Sequence, residues 1–198
     1  DELGDRMKLY EGMGAGAKLM PLLPVLARID GRSFHSFTKG LERPYDERLS
    51  RMMIDTTKWL VQETNAVMGY CQSDEITLCF FADDHKSQIF FDGRHSKMTS
   101  QLAALTSVYF FQRTQEVLGD HWAKKMPTFD ARVWNVPNKV EATNCFLWRE
   151  WDATKNSISM AARAYYSHTA LDGKNGKDMQ EMLFQKGINW DKYPAFFK

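Results

Sequence analysis

The sequence predicts an α+β fold with a ferredoxin-like βαββαβ core, followed by additional C-terminal helices. Four short segments are rich in β-forming residues, and two longer segments between them have helical spacing of apolar residues. Their order along the chain is strand, helix, hairpin, helix, strand. We expect one domain over residues 1–198, with the core at approximately 22–137 and the helical part at approximately 138–198.

The first strand is predicted at residues 25–29, and it runs directly into Asp30-Gly31, a pair that breaks regular structure. Apolar residues then recur at helical spacing from Leu49 to Leu60, and Asp46 precedes them as an N-cap. This pattern predicts an amphipathic helix that continues to about Thr64. A carboxylate therefore stands at the end of the first strand.

A hairpin is predicted from segments 66–70 and 76–81, which flank the polar stretch Gln72-Ser73-Asp74-Glu75. A second long helix follows, ending near Gly119, and the fourth strand is expected at residues 129–134. Further helices are expected at about 140–167 and 178–185. The glycines at positions 12, 14 and 16 lack the context of a phosphate loop and predict a flexible entry loop.

Composition excludes several classes of protein. The chain has 198 residues, 43% of them hydrophobic, and a formal net charge of +1, so any affinity for nucleic acid must come from local patches. The 3 cysteines show no Cys-x-x-Cys spacing, which argues against a disulfide framework and a structural zinc site and favours a cytoplasmic protein. The apolar stretch 19–26 contains two prolines and is too short to span a membrane. No targeting segment is expected.

Two acidic residues are the main candidates for chemistry. In a βαββαβ sheet the first strand lies beside the hairpin, so Asp30 and Asp74 are expected at one edge of the sheet. Carboxylates together with a backbone carbonyl, such as that of Gly31, suit Mg²⁺. On a regular strand Glu75 points to the opposite side from Asp74, so we expect Asp74 rather than Glu75 to be the main metal ligand of this pair. The alternative is that Asp-Gly and Ser-Asp are only turn formers.

Several motifs resemble, in order, the signature blocks of the tRNA-His guanylyltransferase-like family. They are Arg28-Ile29-Asp30-Gly31-Arg32-Ser33-Phe34-His35-Ser36-Phe37, Gln72-Ser73-Asp74-Glu75, Phe129-Asp130-Ala131-Arg132, and a C-terminal block over residues 181–190. The resemblance implies a polymerase-type palm that adds nucleotides to the 5′ end of tRNA. A 5′-monophosphate is activated with ATP or GTP, and the 3′-hydroxyl of an incoming nucleotide attacks it.

The resemblance also implies roles for individual residues. Two Mg²⁺ ions would be held by Asp30, the Gly31 carbonyl and Asp74, with Glu75 as a further catalytic residue. Ser33 would bond a phosphate, and Phe34 would stack on a base. The whole nucleotide-binding set implied by the resemblance is Asp30, Gly31, Arg32, Ser33, Phe34, His35, Ser73, Asp74, Arg94, Ser96 and Lys97.

For some of these residues a structural or solvent-exposed role remains an alternative to nucleotide binding. His35 lies between two phenylalanines and suits packing, and residues 94–97 also read as a solvated basic turn. The pair Lys124-Lys125 is expected to be a solvated surface feature. Four large aromatic residues of the C-terminal part are expected to pack between helices rather than to stack on bases; they are Trp148, Trp151, Tyr165 and Tyr166.

One departure concerns substrate choice. Thr154 stands where the eukaryotic enzymes of the family have the histidine of their His-Ile-Asn-Asn motif, and the run 152–157 resembles the like-protein branch associated with template-dependent repair of tRNA 5′ ends. The family also implies a homotetramer. Three alternatives remain: a guanylyltransferase that adds one G to tRNA-His, a palm-type nucleotide cyclase, and a non-catalytic RNA-binding protein.

Overall fold

The structure, a computed structural model, describes residues 2–198. Its centre is a four-stranded antiparallel sheet in the order β2-β3-β1-β4. The strands are β1 (Val25–Gly31), β2 (Met68–Gln72), β3 (Glu75–Phe80) and β4 (Phe129–Asn135). This order confirms the predicted ferredoxin-like core, in which the first strand is central.

Eight α-helices accompany the sheet in the described part of the chain. They are α1 (Glu2–Ala15), α2 (Phe34–Phe37), α3 (Glu47–Thr64), α4 (His95–Val117), α5 (Asp120–Ala123), α6 (Lys139–Tyr165), α7 (His168–Leu171) and α8 (Gly176–Gln185). The predicted long helices correspond to α3, α4, α6 and α8. Among residues 2–198, none of the helices combines the length and apolar character that a membrane span requires.

The N-terminal expectation was wrong. Helix α1 contains Gly12 and Gly14, and the N–H of Gly16 still donates a 2.7 Å hydrogen bond to the carbonyl oxygen of Gly12. Good helix formers precede the glycines, and Glu2 and Asp5 in the first turn complement the partial positive charge of the helix N-terminus. The segment is therefore a helix and not a flexible loop.

The two faces of the sheet carry different chemistry because side chains alternate along each strand. On β1, Val25, Ala27 and Ile29 are fully buried against α3 and α4 in the main core. On the other face Leu26 packs with Phe146 of α6. The same face continues through Arg28 to Asp30. Helix α6 therefore covers the face that carries the first candidate acid.

Helix α3 begins where its cap predicts. The side chain of Asp46 accepts hydrogen bonds from the backbone N–H groups of Arg48 (3.0 Å) and Leu49 (3.4 Å). Such a cap stabilises a helix by roughly 0.5–2 kcal/mol. At its far end the helix stops at Asn65, which adopts a left-handed conformation. This fixes α3 beneath the hairpin, against β2.

Candidate active site

The hairpin turn and the end of β1 meet at one edge of the sheet. Asp30 pairs in register with Glu75, and Ser73 and Asp74 connect β2 to β3. The N–H of Gly31 donates a 3.0 Å hydrogen bond to the carbonyl oxygen of Asp74. Asp30 and Asp74 consequently line one cavity of about 800 Å³, as the sequence predicted from topology alone.

The environment of these two acids favours a bound cation. Burial raises the pKa of Asp74, and the charges of Asp30 and Glu75 raise it further. Burial also raises the pKa of Asp30, followed by the charge of Asp130, its partner across β4. Within residues 2–198, neither Asp30 nor Asp74 forms a salt bridge with a lysine or arginine. The charges of Arg132, Arg28 and Arg149 act in the opposite direction and lower the pKa of Asp30 in part. Two partly buried carboxylates without a salt bridge are a donor set that fits a hard divalent cation.

A third acid, Glu75, has a different environment. Nη2 of Arg149 donates a 2.9 Å hydrogen bond to its Oε2, and Nε of Arg149 lies 2.7 Å from its Oε1. Arg28 contributes a further ion pair at 3.3 Å. Among the described residues no group of three acidic, histidine or cysteine side chains is arranged to hold a metal ion. Glu75 is therefore paired with two arginines, whereas Asp30 and Asp74 have no salt bridge within the described residues.

Sequence reasoning did not find Arg149. It lies on α6 and is only 5% exposed, 74 positions from Glu75. The available signal was helical periodicity, since Ala142, Phe146, Arg149 and Ala153 follow the spacing of one buried helix face. An arginine on an otherwise apolar face requires an acidic partner.

The loop after β1 presents backbone donors to the cavity. Ser33 has a left-handed conformation with φ 53°, and no acceptor for the N–H groups of Ser33, Phe34 and His35 is present within residues 2–198. Ser33 and His35 are exposed and line the cavity. Free N–H groups beside a hydroxyl suit the oxygens of a phosphate. The alternative that His35 is a buried packing residue is wrong, because the residue is exposed.

Phe34 does not offer a stacking surface. Its side chain is only 4% exposed, and its ring packs against Phe37 (4.9 Å between centroids), Phe129 (5.0 Å) and Phe110 (5.5 Å). The expectation that it stacks on a base is corrected to a packing role. Arg32 is exposed and does not line the cavity; its backbone N–H donates to the carbonyl oxygen of Thr128 at 2.8 Å.

The basic residues before α4 lie elsewhere. Phe80, at the end of β3, pairs with Val25 at the start of β1 and stacks on Phe90, close to Arg94. That end of β1 is roughly 17 Å from Asp30 at the usual rise of a strand. The structure therefore does not bring Arg94, Ser96 and Lys97 into the cavity. The hydroxyl of Ser96 instead donates to the carbonyl oxygen of Ala15 at 3.1 Å.

The aromatic residues of α6 also differ from expectation. Trp148 is 52% exposed and Trp151 is 63% exposed, so neither packs between helices. The guanidinium of Arg28 lies 4.9 Å from the ring of Trp148, a cation–π contact beside the Glu75 pair. Tyr165 is 40% exposed. Only Tyr166 packs as expected, with its hydroxyl donating to the carbonyl oxygen of Met182 at 2.5 Å.

Lys125 is exposed, as expected of the Lys124-Lys125 pair, but its ammonium group also has partners within the protein. Its Nζ donates to the carbonyl oxygens of Phe37 (2.9 Å) and Lys39 (3.3 Å) at the end of α2 and lies 3.7 Å from the ring centre of Trp122. A cation at this position satisfies carbonyl groups that a helix leaves without partners. Lys125 therefore supports the segment that carries Ser33 and His35.

Comparison with known proteins identifies the family of the chain. The family model described as tRNAHis guanylyltransferase matches residues 4–137. The chain is 31% identical to the uncharacterized protein R259 of Acanthamoeba polyphaga mimivirus, over 100% of this chain and 75% of that protein. It is 28% identical to the tRNA(His) guanylyltransferase of Schizosaccharomyces pombe, over 97% and 76% of the two chains.

Solved structures are similar as well. A bacterial tRNA(His) guanylyltransferase-like protein in complex with ATP superposes with a TM-score of 0.92 and 40% identity, covering 99% of this chain and 85% of that one. A second structure of this name, in complex with GTP, gives a TM-score of 0.84 and 36% identity, covering 100% of this chain and 82% of that one. The chain therefore belongs to the tRNAHis guanylyltransferase family of nucleotidyltransferases.

Proposed function

We propose that this protein adds nucleotides to the 5′ end of tRNA under the direction of the opposing strand, and so repairs shortened 5′ ends. The observation that carries the proposal is the cavity in which Asp30 and Asp74 meet, neither of them in a salt bridge within residues 2–198. The names of similar proteins support these substrates. The relative from Schizosaccharomyces pombe is named tRNA(His) guanylyltransferase, and the two bacterial structures are complexes with ATP and with GTP.

Asp30, Asp74 and the carbonyl group of Gly31 would hold two Mg²⁺ ions. When bound, such ions supply charge stabilisation to the attacking and departing oxygens of a phosphoryl transfer. The raised pKa values of both carboxyl groups support the assignment, because the positive charge of a bound cation would stabilise the ionised form of each group.

The remaining residues bind and orient the reactants. The N–H groups of Ser33, Phe34 and His35 and the hydroxyl of Ser33 hold phosphate oxygens. In the activation, an oxygen of the RNA 5′-monophosphate forms a bond to the α-phosphorus of ATP or GTP, and pyrophosphate leaves. In the transfer, the 3′-hydroxyl oxygen of the incoming nucleotide forms a bond to the 5′ phosphorus of the RNA, and its proton passes to water. The bond from that phosphorus to the activating nucleotide breaks, and the nucleotide leaves as its monophosphate. Orienting both reactants in one cavity supplies much of the rate advantage.

The position of Thr154 supports selection of the incoming nucleotide by the opposing strand rather than by the identity of the tRNA. It is not among the residues that line the cavity, and its carbonyl oxygen accepts a 2.9 Å hydrogen bond from the hydroxyl of Ser157 within α6. Without the histidine that guanylyltransferases proper have here, pairing with the opposing base is what remains to select the incoming nucleotide.

The test compares kcat/KM on 5′-monophosphorylated tRNAs that lack their first nucleotide, with several anticodons and each of the four opposing bases. We expect insertion of the Watson–Crick complement with little dependence on the anticodon. A strong preference for tRNA-His with an untemplated G would refute the repair function. Cyclisation of GTP or ATP without RNA, or RNA binding without addition, would refute nucleotide transfer to RNA altogether.

Association into a homotetramer belongs to the same proposal. Large apolar side chains are exposed on α1 and α6, among them Leu9 (61%), Met13 (79%) and Trp151 (63%). Such residues are favoured where copies of a chain pack together. Sedimentation equilibrium at micromolar concentration distinguishes a tetramer from a monomer.

A further inference from the structure

Glu75 is close enough to the candidate metal site to be part of it. It is the direct cross-strand partner of Asp30 and the chain neighbour of Asp74. Opposed residues of an antiparallel pair have Cβ atoms about 4.5–5.5 Å apart and share one face of the sheet. The backbone would therefore permit three carboxylates around one cation.

The side chain of Glu75 is held in another direction. From a buried position on α6, Nη2 of Arg149 donates a 2.9 Å hydrogen bond to Oε2 of Glu75. Nε of Arg149 lies 2.7 Å from Oε1 as an ion pair that is not aligned for a hydrogen bond. Arg149 is fixed in turn by Asp152, one helical turn further on, at 3.0 Å. Arg28 approaches Glu75 at 3.3 Å but donates no hydrogen bond to it, whereas Nη2 of Arg149 does. Arg149 is therefore the principal partner of this carboxylate.

We infer that Arg149 is a positioning residue that withholds Glu75 from the metal site, so that only Asp30 and Asp74 contribute side chains to it. A third carboxylate would add negative charge, bind the cation more tightly and displace positions that substrate phosphates need. Nucleotide transfer requires metals that bind substrate as well as protein. The inference rests on the proposed function insofar as it takes Asp30 and Asp74 to bind divalent cations.

The direct test is a calorimetric titration with Mn²⁺, in the absence of nucleotide and RNA. In Arg149→Gln the carboxylate of Glu75 loses its main partner, and we expect Mn²⁺ to bind about tenfold more tightly, the size expected of one additional charge a few ångströms away. The double variant Glu75→Gln/Arg149→Gln lacks that carboxylate, so its affinity should return to the native value.

Two further variants make the test specific. Glu75→Asp keeps the acid but shortens its reach towards α6, so it should also tighten Mn²⁺ binding, and it stands in for Arg149→Gln if that variant does not fold. Arg113→Gln is the matched control, because Arg113 pairs with Asp55 and Glu116 away from the cavity. It should lower the melting temperature without changing Mn²⁺ affinity.

Activity provides a second readout. We expect Arg149→Gln to lower kcat for 5′-end addition more than it raises KM for GTP, and Arg149→Lys to recover part of the loss because it keeps the charge. Unchanged or weaker Mn²⁺ binding in folded Arg149→Gln would overturn the inference, as would tight binding that persists in the double variant. A native protein that binds no Mn²⁺ would overturn it too.

The two proposals fail in different experiments. If Mn²⁺ binding responds as expected but no nucleotide is added to any RNA, the proposed function fails and the role of Arg149 stands. If 5′-end addition proceeds but Arg149→Gln leaves Mn²⁺ affinity unchanged, the role of Arg149 fails and the proposed function stands.

Discussion

The backbone N–H of Gly31 donates a 3.0 Å hydrogen bond to the carbonyl oxygen of Asp74. This bond ties the hairpin turn to the end of β1, so the two acids that flank it are held by backbone rather than by flexible side chains. Neither acid can move far without breaking the pairing of β1 with β3. The sheet itself therefore preorganises the candidate metal site.

Replacing either acid is expected to abolish activity but not folding. Asp30→Asn and Asp74→Asn should each lower kcat/KM for 5′-end addition by at least about 10³-fold, because loss of a bound cation costs several kcal/mol of transition-state stabilisation. Single-turnover addition to a 5′-truncated tRNA with saturating GTP measures the effect, with circular dichroism as the check on folding.

Asp130→Asn is the matched control. Asp130 is the cross-strand partner of Asp30 on its other side, but it is exposed and does not line the cavity. We expect its activity to stay within about threefold of native, the size of a modest surface substitution. Near-native rates in Asp30→Asn or Asp74→Asn would remove these residues from the catalytic machinery.

The predictable part of the site is the part that follows from topology. Strands β1, β3 and β4 have continuous β-forming residues, and once their order is known, Asp30 and Asp74 must meet. The contact between Arg149 and Glu75 was not predictable in this way, because it depends on how α6 crosses the sheet. Lys125 was missed for a similar reason, since its partners are carbonyl groups that carry no sequence signal.

The wrong predictions concern residues whose local sequence pattern is compatible with two different positions in the fold. Phe34 belongs to a motif that faces the cavity, but its ring turns inward because three other phenylalanines surround it. The tryptophans of α6 have helical spacing typical of a buried face, yet Trp148 and Trp151 fall on the exposed side. Residues 94–97 follow the predicted turn, but the length of the sheet separates them from Asp30.

Gly31 is required because no side chain fits beside Phe34. A Cβ atom at position 31 would lie 2.4 Å from the ring of Phe34. Gly31→Ala should therefore destabilise the fold by about 1–3 kcal/mol, the usual cost of overpacking a core. Urea unfolding followed by tryptophan fluorescence gives the free energy of unfolding.

Two variants test the cause of that loss. Gly176→Ala lies at the start of α8, where a Cβ atom meets nothing within 4 Å, and should be neutral or slightly stabilising. In a Phe34→Leu background the effect of Gly31→Ala should shrink, because the smaller side chain leaves room. An equal loss in both backgrounds would show that the clash with Phe34 is not the cause.

Lys125 is expected to contribute more to the site than its exposure suggests. Lys125→Met removes a charged donor to two carbonyl groups at the end of α2 and a cation–π contact, so it should cost about 1–3 kcal/mol and weaken GTP binding. Lys124→Met, at the exposed neighbouring position, is the control and should change neither quantity measurably. Equal effects of the two substitutions, in thermal unfolding and in GTP titration, would exclude a specific role for Lys125.

The raised pKa values of Asp30 and Asp74 predict how stability depends on pH when no metal is bound. Burial, followed by neighbouring acids, raises both above the ordinary value of 3.8. An acid whose pKa is raised on folding lowers the free energy of unfolding once it is ionised. This loss of stability is absent below pH 3.8 and grows as pH rises from there through the folded-state pKa. Asp30→Asn/Asp74→Asn removes it. In EDTA the double variant should therefore melt at a higher temperature than the native protein at pH 7, and the difference should shrink as pH falls towards 4.

Two controls establish the sign and the cause. Hydrogen bonds from the backbone N–H groups of Ser87 and Lys86 lower the pKa of Asp84, so Asp84→Asn should be less stable than the native protein at pH 7. Addition of Mg²⁺ should stabilise the native protein but not the double variant, because only the native carboxylates bind the ion. Differential scanning calorimetry between pH 4 and 8, with EDTA or with excess Mg²⁺, measures all three responses. A double variant that is less stable than the native protein in EDTA at pH 7 would show that these carboxylates are stabilised by contacts within the chain, and a cation would then not be needed to balance their charge.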